Sequence, residues 1–427
     1  MIKKIIVVVT LFISVAGFTQ KNNASAYSFF GLGDRNNSSS VEQLSMGGVG
    51  VALPEYYRLN LSNPASNASL MLTTYSIALE NKNNSIKDAD DKQKAASTYL
   101  SYLALGVPLS EKGGLVFGLL PTSTVGYSLL LNKYDENDEM IEGNLYSGEG
   151  GTNKVFLGVG YKIFKGFSFG IQGNYSFGNI ENSILNQVKD ASLATKYKTE
   201  YNVNGFSINT GIQYKTTLKN KLNLHLGANL EFENELDVEG NEYLYSVSLG
   251  SYENPKDTIL NEKNNGKFIN PLKTTLGAGI GKIDKWYAGV DYSFQKALKA
   301  QGTSFINNAK VKYDNYSRIS VGGFYTPKIN SITSYWERVT YRAGFKFEKT
   351  GLLVDATGNG TNYDAVDDFG ISFGIGLPVT KQLSNLNLGF EFGKRGKTDR
   401  GLVEEKYINL RLSLSLNDRW FKKREIF

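Results

Sequence analysis

The sequence predicts an all-β fold, a 14-stranded antiparallel transmembrane β-barrel with an N-terminal plug in its lumen. From about Met71 to Leu416 the chain alternates apolar and polar residues, a period of two that is typical of strands. The connections between these segments are alternately short and long, as in outer-membrane barrels. Composition agrees, because 45 Gly, 26 Tyr and 24 Phe suit tightly turned strands with aromatic girdles at the membrane interfaces.

The N-terminal element is predicted to be a signal peptide, residues 1–19. Lys3 and Lys4 precede a short apolar run, residues 5–18, and the small residues Gly17 and Thr19 lie where a peptidase cleaves. The alternative is a retained membrane anchor, but the run is too short to cross the hydrocarbon comfortably. We expect an exported protein, located in the outer membrane of a Gram-negative bacterium. Without cysteine it has neither a lipid-attachment site nor disulfides.

Residues 20–70 are predicted to form the plug. A barrel of fourteen strands encloses more space than its own inward side chains fill. This segment lacks sustained alternation, and it contains glycines together with apolar residues that a folded unit can bury. The alternative is a disordered periplasmic leader. The glycines are Gly31, Gly33, Gly47, Gly48 and Gly50.

Residues 71–417 are predicted to form the barrel, and residues 418–427 a periplasmic tail. Connections after even-numbered strands are predicted to be short, and those after odd-numbered strands long, polar and acidic, as at 133–150, 236–267 and 348–368. An even strand number places both chain ends on the periplasmic side. The strands are predicted near residues 71–82, 95–108, 113–132, 152–163, 166–180, 201–215, 222–235, 268–282, 285–296, 309–325, 337–347, 369–379, 385–394 and 404–416.

The alternation also predicts which side chains meet lipid. In the last strand Ile408, Leu410 and Leu412 share one face, while Asn409 and Arg411 lie on the other. The apolar face is expected to meet lipid and the polar face the lumen. Closure of the sheet is compulsory in hydrocarbon, because an unpaired backbone group there costs several kcal/mol.

A family resemblance becomes visible at Asn63-Pro64-Ala65, just before the first strand. Asn followed by Pro favours a sharp turn. With the opening at residues 27–34, the strand count and the last strand followed by Trp420, this motif makes the chain resemble FadL-type outer-membrane transporters. The resemblance implies a 14-stranded barrel closed by a small N-terminal hatch that carries the Asn-Pro-Ala motif. It also implies uptake of long-chain fatty acids and other hydrophobic compounds.

Pro121 lies inside the long third strand, flanked by Gly118 and Gly126. Proline cannot donate to a strand ladder and is found at edges or bulges. In the family that the chain resembles, the third strand kinks inward and leaves a gap in the wall, the proposed lateral exit for apolar cargo. An ordinary bulge is the alternative interpretation.

The sequence offers little for catalysis, metals or nucleic acids, and we expect no enzyme, no cofactor and no metal site. The only histidine, His225, has no pattern of neighbours that nominates a serine partner. The acidic pairs Asp90-Asp91 and Asp367-Asp368 are interpreted as solvated loop charge rather than a calcium site. The short basic run at residues 422–424 is not a nucleic-acid surface.

Two functional hypotheses of different classes follow. The first is a plug-gated barrel for uptake of small hydrophobic molecules, with release sideways through the wall into the membrane. The second is a scaffold or docking subunit in an outer-membrane secretion or assembly complex, which itself transports nothing. A general porin is a weaker third reading. The expected partners are outer-membrane lipid and lipopolysaccharide, a hydrophobic ligand and, in the second hypothesis, other envelope proteins.

Overall fold

The fold is that of a computed structural model, which describes residues 25–88, 92–250, 253–302, 310–355, 357, 359–379 and 384–419. The predicted signal peptide, the pair Asp90-Asp91 and the basic run at residues 422–424 lie outside this part of the chain.

Fourteen barrel strands are present among the described residues, which confirms the predicted strand number. Four of them are interrupted once by two or three residues. Their bounds are β1 Thr73–Lys87, β2 Lys92–Pro108, β3 Gly113–Tyr134, β4 Met140–Phe164, β5 Phe167–Val188, β6 Ala194–Thr217, β7 Asn223–Glu231 and Asn234–Leu249, β8 Glu253–Asn270 and Lys273–Lys282, β9 Trp286–Gln295 and Lys299–Gln301, β10 Val311–Tyr313 and Tyr316–Tyr325, β11 Thr340–Val354, β12 Asp364–Pro378, β13 Asn385–Arg395 and β14 Glu404–Asp418.

The strands form one closed antiparallel sheet. Each strand pairs with its neighbours in the sequence, and β14 pairs with β1 from Asp418 opposite Thr73 to Glu404 opposite Lys87. Closure leaves no free edge where first and last strand meet, so the backbone groups of both strands are paired there.

Side chains alternate across this wall as predicted. In β14, Ile408, Leu410 and Leu416 are exposed on the outer face, while Arg411 and Ser413 are buried on the inner face. The outer surface is therefore apolar and the inner surface polar, the reverse of a water-soluble barrel. Among the described residues there is no helix with the length and apolar character needed to cross a bilayer.

Three predicted loops are largely strand, which corrects the sequence analysis. The prediction of loops at 133–150, 236–267 and 348–368 was wrong because β3 and β4 run on to Tyr134 and Met140, and β7 and β8 to Leu249 and Glu253. These hairpins extend past the apolar band. Polar and apolar residues occur on both faces there, as at the adjacent Met140 and Ile141, so the alternation that marks a half-buried strand is absent although the ladder continues.

One connection at the opposite end, the short-turn end, is longer than predicted. Residues 326–339 join β10 to β11 and contain a 3₁₀ turn, Trp336–Arg338. The prediction that the connection after the tenth strand is short was wrong, because β10 ends at Tyr325 and β11 begins only at Thr340.

The N-terminal segment, residues 25–70, lies against the inner face of the wall. It contains a 3₁₀ helix (Ala26–Phe29), a two-residue strand (Asp34–Arg35), a short helix α1 (Val41–Leu44) and a second 3₁₀ helix (Pro64–Ser69). Ser40 caps α1 in a capping box with Gln43, which satisfies backbone donors that the helix itself leaves unpaired.

The hydrophobic core lies between the N-terminal segment and the wall. Val41, Leu59 and Leu61 of the segment pack in one cluster with Tyr102 and Phe156 of the wall. Met46, Val49 and Leu53 form another cluster with Tyr287. The apolar residues of the segment thus pack against the barrel as well as against one another, so segment and wall share their hydrophobic clusters.

Candidate lumenal site and wall seam

The Asn63-Pro64-Ala65 motif lies at the inner wall and joins the N-terminal segment to three strands. Asn63 is completely buried and caps the second 3₁₀ helix, since its side-chain oxygen accepts a hydrogen bond from Ala65 N at 3.0 Å. Its Nδ2 faces the backbone oxygens of Val51 at 2.8 Å, Ile212 at 3.1 Å and Ala228 at 3.3 Å. Pro64 occupies the first helical position, where its missing N–H costs nothing.

A belt of wall glycines makes room for this segment. A Cβ on Gly170 would come within 2.5 Å of the Pro64 carbonyl oxygen, and one on Gly211 would overlap the Asn63 side chain. Any larger residue at these positions collides with the segment. Belt glycines whose added Cβ would meet the segment are Gly106, Gly114, Gly160, Gly170, Gly211, Gly227, Gly277, Gly322, Gly344 and Gly374.

Four of the five glycines predicted in the plug adopt a left-handed backbone. Gly31, Gly33, Gly47 and Gly48 have φ between 61° and 93°, whereas Gly50 has no positive φ. Gly47 also lies directly on the wall, where a Cβ would come within 2.8 Å of Phe345 N. The turn at Gly47 therefore requires glycine for both backbone conformation and space.

A ladder of buried opposite charges runs along the inner wall into the segment. Arg411 of β14 lies 2.9 Å from Glu80 and 2.6 Å from Glu391, and Arg395 lies 2.7 Å from Asp34 of the segment. Because each charge has an opposite neighbour, the cost of burying it is offset. In spatial order the members are Glu80, Arg411, Glu391, Lys346, Asp368, Arg395, Asp34 and Lys82.

Asp368 belongs to this ladder, so its interpretation as solvated loop charge was wrong. It lies within β12, is only 2% exposed, and accepts a hydrogen bond from the Tyr407 hydroxyl at 2.6 Å. The alternation places it inward, and the sequence analysis missed this because it predicted β12 to begin at residue 369, five residues after its start at Asp364. The sequence feature that could have identified the ladder is a set of inward-facing charges of opposite sign on neighbouring strands.

Two further carboxylates of the wall hold the segment by its backbone. Asp291 accepts hydrogen bonds from Gly50 N at 2.8 Å and Val51 N at 3.0 Å. Glu405 accepts from Ala26 N at 2.7 Å and from the Ser25 hydroxyl at 2.8 Å. Charge-assisted bonds of this kind are the stronger class, and they fix the segment at its N-terminal end and near its middle.

A cavity of about 310 Å³ remains between segment and wall. It is apolar where Phe30, Leu32 and Phe268 line it and polar on the side of Lys154 and Arg318. Its lining is therefore amphipathic, unlike the mostly apolar pocket typical of small-molecule sites.

The wall has a seam between β2 and β3. These strands pair over only six residues each, from Leu103 opposite Leu119 to Pro108 opposite Gly114. Beyond that point the described residues of β2 and β3 no longer pair with each other, although β3 stays paired with β4 as far as Tyr134. The short strand Asp34–Arg35 takes the vacated edge at Ser123 and Thr124.

The three residues predicted at the strand-3 kink have different positions. Gly118 pairs with Ala104 inside the closed part of the wall. Pro121 lies just above it, at a register shift of the β3–β4 ladder. Gly126 contacts the N-terminal segment, because its N–H donates to the Ser28 hydroxyl at 3.1 Å. Only Pro121 therefore lies where the seam begins.

His225 is buried on the inner face, with its ring centroid 5.7 Å from that of Tyr287. No group of three or more His, Cys, Asp and Glu residues that suits a metal ion occurs in the described part of the chain. Outside the hydrophobic clusters, amides, hydroxyls and paired charges line much of the inner wall.

Solved structures share this architecture. A FadL homologue from Pseudomonas aeruginosa aligns with a TM-score of 0.61 at 11% identity, covering 90% of this chain and 98% of that one. The Ralstonia pickettii toluene transporter TbuX gives 0.60 at 12%, with 90% and 99% covered. The Pseudomonas putida toluene transporter TodX gives 0.60 at 16%, with 90% and 100% covered. The resemblance to FadL-type transporters is confirmed, and at these identities it establishes the fold.

No curated protein matches the sequence. A family model described as BamG matches residues 1–426, which is nearly the whole chain. This protein therefore belongs to the BamG family.

Proposed function

We propose that this protein is an outer-membrane barrel through which small hydrophobic molecules are taken up and released sideways into the membrane. The observation that carries the proposal is the seam between β2 and β3, which begins beside Pro121. A water-insoluble molecule that leaves through a wall gap never has to cross the aqueous periplasm. Fatty acids and monoaromatic compounds belong to this substrate class, and the FadL homologue and the toluene transporters share the fold.

In this proposal the N-terminal segment is the plug. Its Asp34 and Arg35 lie on the β3 edge beside the seam, and its aromatic residues line the apolar side of the cavity. Cargo enters among the long hairpins, binds in the cavity and passes to the seam when the segment shifts. Burial of apolar surface supplies affinity, at about 0.8 kcal/mol per CH₂.

Cross-linking the seam tests this proposal. Ser101 and Pro121 line the same small cavity. Both are replaced by cysteine in one variant, and a bifunctional maleimide joins the two thiols. The chain has no other cysteine. The control pair, Val107→Cys and Leu115→Cys, lies opposite one another in the closed part of the wall. Uptake of labelled oleate and toluene is measured in cells that lack their own transporter.

We expect the linked seam variant to lose uptake down to the level of cells without the protein, while the linked control pair keeps it. Equal uptake by both linked variants would contradict release through the seam.

A second candidate function is docking: a scaffold subunit of an outer-membrane secretion or assembly complex. The observation that favours it is the polar interior, where the segment is tied by the charge ladder and by Asp291 and Glu405. Such ties suit a permanently closed barrel. The match to the BamG family rather than to a named transporter family agrees with this view.

Purification from native membranes separates the two functions. A stable stoichiometric complex with other envelope proteins, together with uptake that is unaffected by the seam cross-link, favours docking. A monomer that carries lipid or detergent in its cavity favours uptake.

A further inference from the structure

Residues 326–339 form a rigid projection at the short-turn end. Thr326 N donates to Lys285 O at 2.7 Å, and the hydroxyls of Thr326 and Thr340 lie 2.9 Å apart. Within the loop Lys328 N donates to Glu337 O at 2.7 Å. The Tyr335 hydroxyl donates to Pro378 O at 3.2 Å, which fixes the loop beneath the end of β12.

This loop and the neighbouring turn present large apolar side chains to the outside. Ile332 is fully exposed at 101%, and Trp336 is 65% exposed. Ile283, in the neighbouring turn, is 52% exposed. Large apolar side chains exposed on an ordered loop mark a surface that binds another molecule or a membrane.

The position of the loop identifies what covers it. The outward residues Trp286, Tyr325 and Tyr341 lie opposite one another on β9, β10 and β11 and form an aromatic row at the edge of the apolar wall. The Tyr341 hydroxyl donates to Trp336 O at 3.4 Å, so the loop continues this row. Aromatic rows of this kind mark the depth of lipid headgroups.

The charges beside the loop favour an anionic ligand. Residues 282–285 and 326–339 carry four cations, Lys282, Lys285, Lys328 and Arg338, against two carboxylates, Asp284 and Glu337. Within the described part of the chain none of the four cations lies within 4 Å of a carboxylate, and Asp284 is engaged by the Tyr57 hydroxyl at 3.1 Å. The Arg338 guanidinium lies over the Tyr335 ring, 5.2 Å from its centroid.

We propose that the 326–339 loop and the turn at Ile283 form a binding site for anionic phospholipid headgroups of the periplasmic leaflet. Ile332 and Trp336 enter the interface, and Lys285, Lys328 and Arg338 contact the phosphates. An aromatic anchor flanked by unpaired cations is the chemistry that such headgroups recognise. A periplasmic protein would meet the same side chains, but continuity with the lipid-facing row favours lipid.

Tryptophan fluorescence tests the site, because the chain has only three tryptophans. One variant keeps only Trp336 (Trp286→Phe, Trp420→Phe), and a matched variant keeps only Trp286 in the wall. Both full chains are placed in nanodiscs of phosphatidylcholine, with or without phosphatidylglycerol. Brominated lipid and aqueous iodide serve as quenchers.

We expect brominated lipid to quench Trp336 almost as well as Trp286, and phosphatidylglycerol to shift Trp336 emission to the blue. We expect the double variant Lys285→Ser/Lys328→Ser to abolish that shift. The control double variant Lys256→Ser/Lys263→Ser, which changes two lysines of β8 at the opposite end of the barrel, should keep it. Quenching of Trp286 but not of Trp336, or a shift that does not depend on the lysines, would overturn the site. Failure to quench Trp286 would instead contradict the membrane barrel.

Discussion

Asp34 is the residue through which the charge ladder reaches the N-terminal segment. Its carboxylate lies 2.7 Å from Arg395 and 3.5 Å from Lys82, and all three side chains are largely buried. Breaking a buried pair by removing one partner leaves an uncompensated charge in the lumen. The consequence extends to the seam, because Asp34 is also paired with the backbone of Thr124.

We predict that Asp34→Asn destabilises the protein by about 3–5 kcal/mol, because it removes the carboxylate beside buried Lys82 and leaves Arg395 with Asp368 alone. Urea unfolding in detergent micelles measures this, and limited proteolysis of residues 25–40 reports release of the segment. The control is Lys133→Gln, whose partner Glu142 lies 2.8 Å away at an exposed site. There the expected loss is about 0–1 kcal/mol. Equal losses at both sites would contradict the ladder.

Gly170 tests the belt of wall glycines. We predict that Gly170→Ala costs about 1–3 kcal/mol, because the new methyl group collides with the Pro64 carbonyl. Gly173→Ala is a matched control on the same strand, since a Cβ there meets nothing within 4 Å. The temperature at which the folded band disappears in electrophoresis compares the two. If Gly170→Ala lowered the unfolding temperature no more than Gly173→Ala does, the segment would not contact β5 at residue 170.

At the scale of elements, the sequence predicted strands reliably where one face meets lipid. β14 was predicted at 404–416 and runs from Glu404 to Asp418, because its leucines alternate without a break. β4 was predicted to begin at residue 152 but begins at Met140, since residues 140–151 mix polar and apolar side chains without a period of two. The Asn-Pro-Ala turn could be predicted from its own three residues. Its contacts with Gly170 and Gly211 could not, because they depend on the register between strands, which no single segment of the sequence specifies.

The seam is an element whose existence hydrogen exchange tests. In the closed part of β2, from Leu103 to Gly106, the backbone pairs on both sides. From Lys92 to Tyr102 it pairs with β1 but not with β3. We predict that some backbone amides of β2 exchange rapidly in the part beside the seam, where β2 is not paired with β3. The amides in the closed part of β2 should be protected. Uniform protection along β2 would mean that the wall is closed beside Pro121.

At the scale of the whole molecule, we predict that the N-terminal segment determines whether the barrel conducts ions. The intact lumen retains a cavity of about 310 Å³ behind a tied segment, so we predict no stable conductance in planar bilayers. Deleting residues 20–69 leaves a wall of fourteen strands with a polar interior and should produce large, ion-permeable steps. Electrophoretic mobility before and after heating checks that the deleted protein still folds. Equal conductance of both proteins would support a porin.

Both proposals of function depend on one claim, that the outer face meets lipid and the inner face a polar, occupied lumen. The absence of cysteine allows spin labels to be placed singly along β7 and β14. The most direct measurement is the accessibility of labels at His225, Leu226, Asn409 and Leu410 to oxygen, which enters lipid, and to a water-soluble nickel complex. We predict oxygen access at Leu226 and Leu410 and low access of both probes at His225 and Asn409, where the N-terminal segment and neighbouring side chains fill the space. Access of the nickel complex to Leu226 and Leu410 would contradict the membrane barrel.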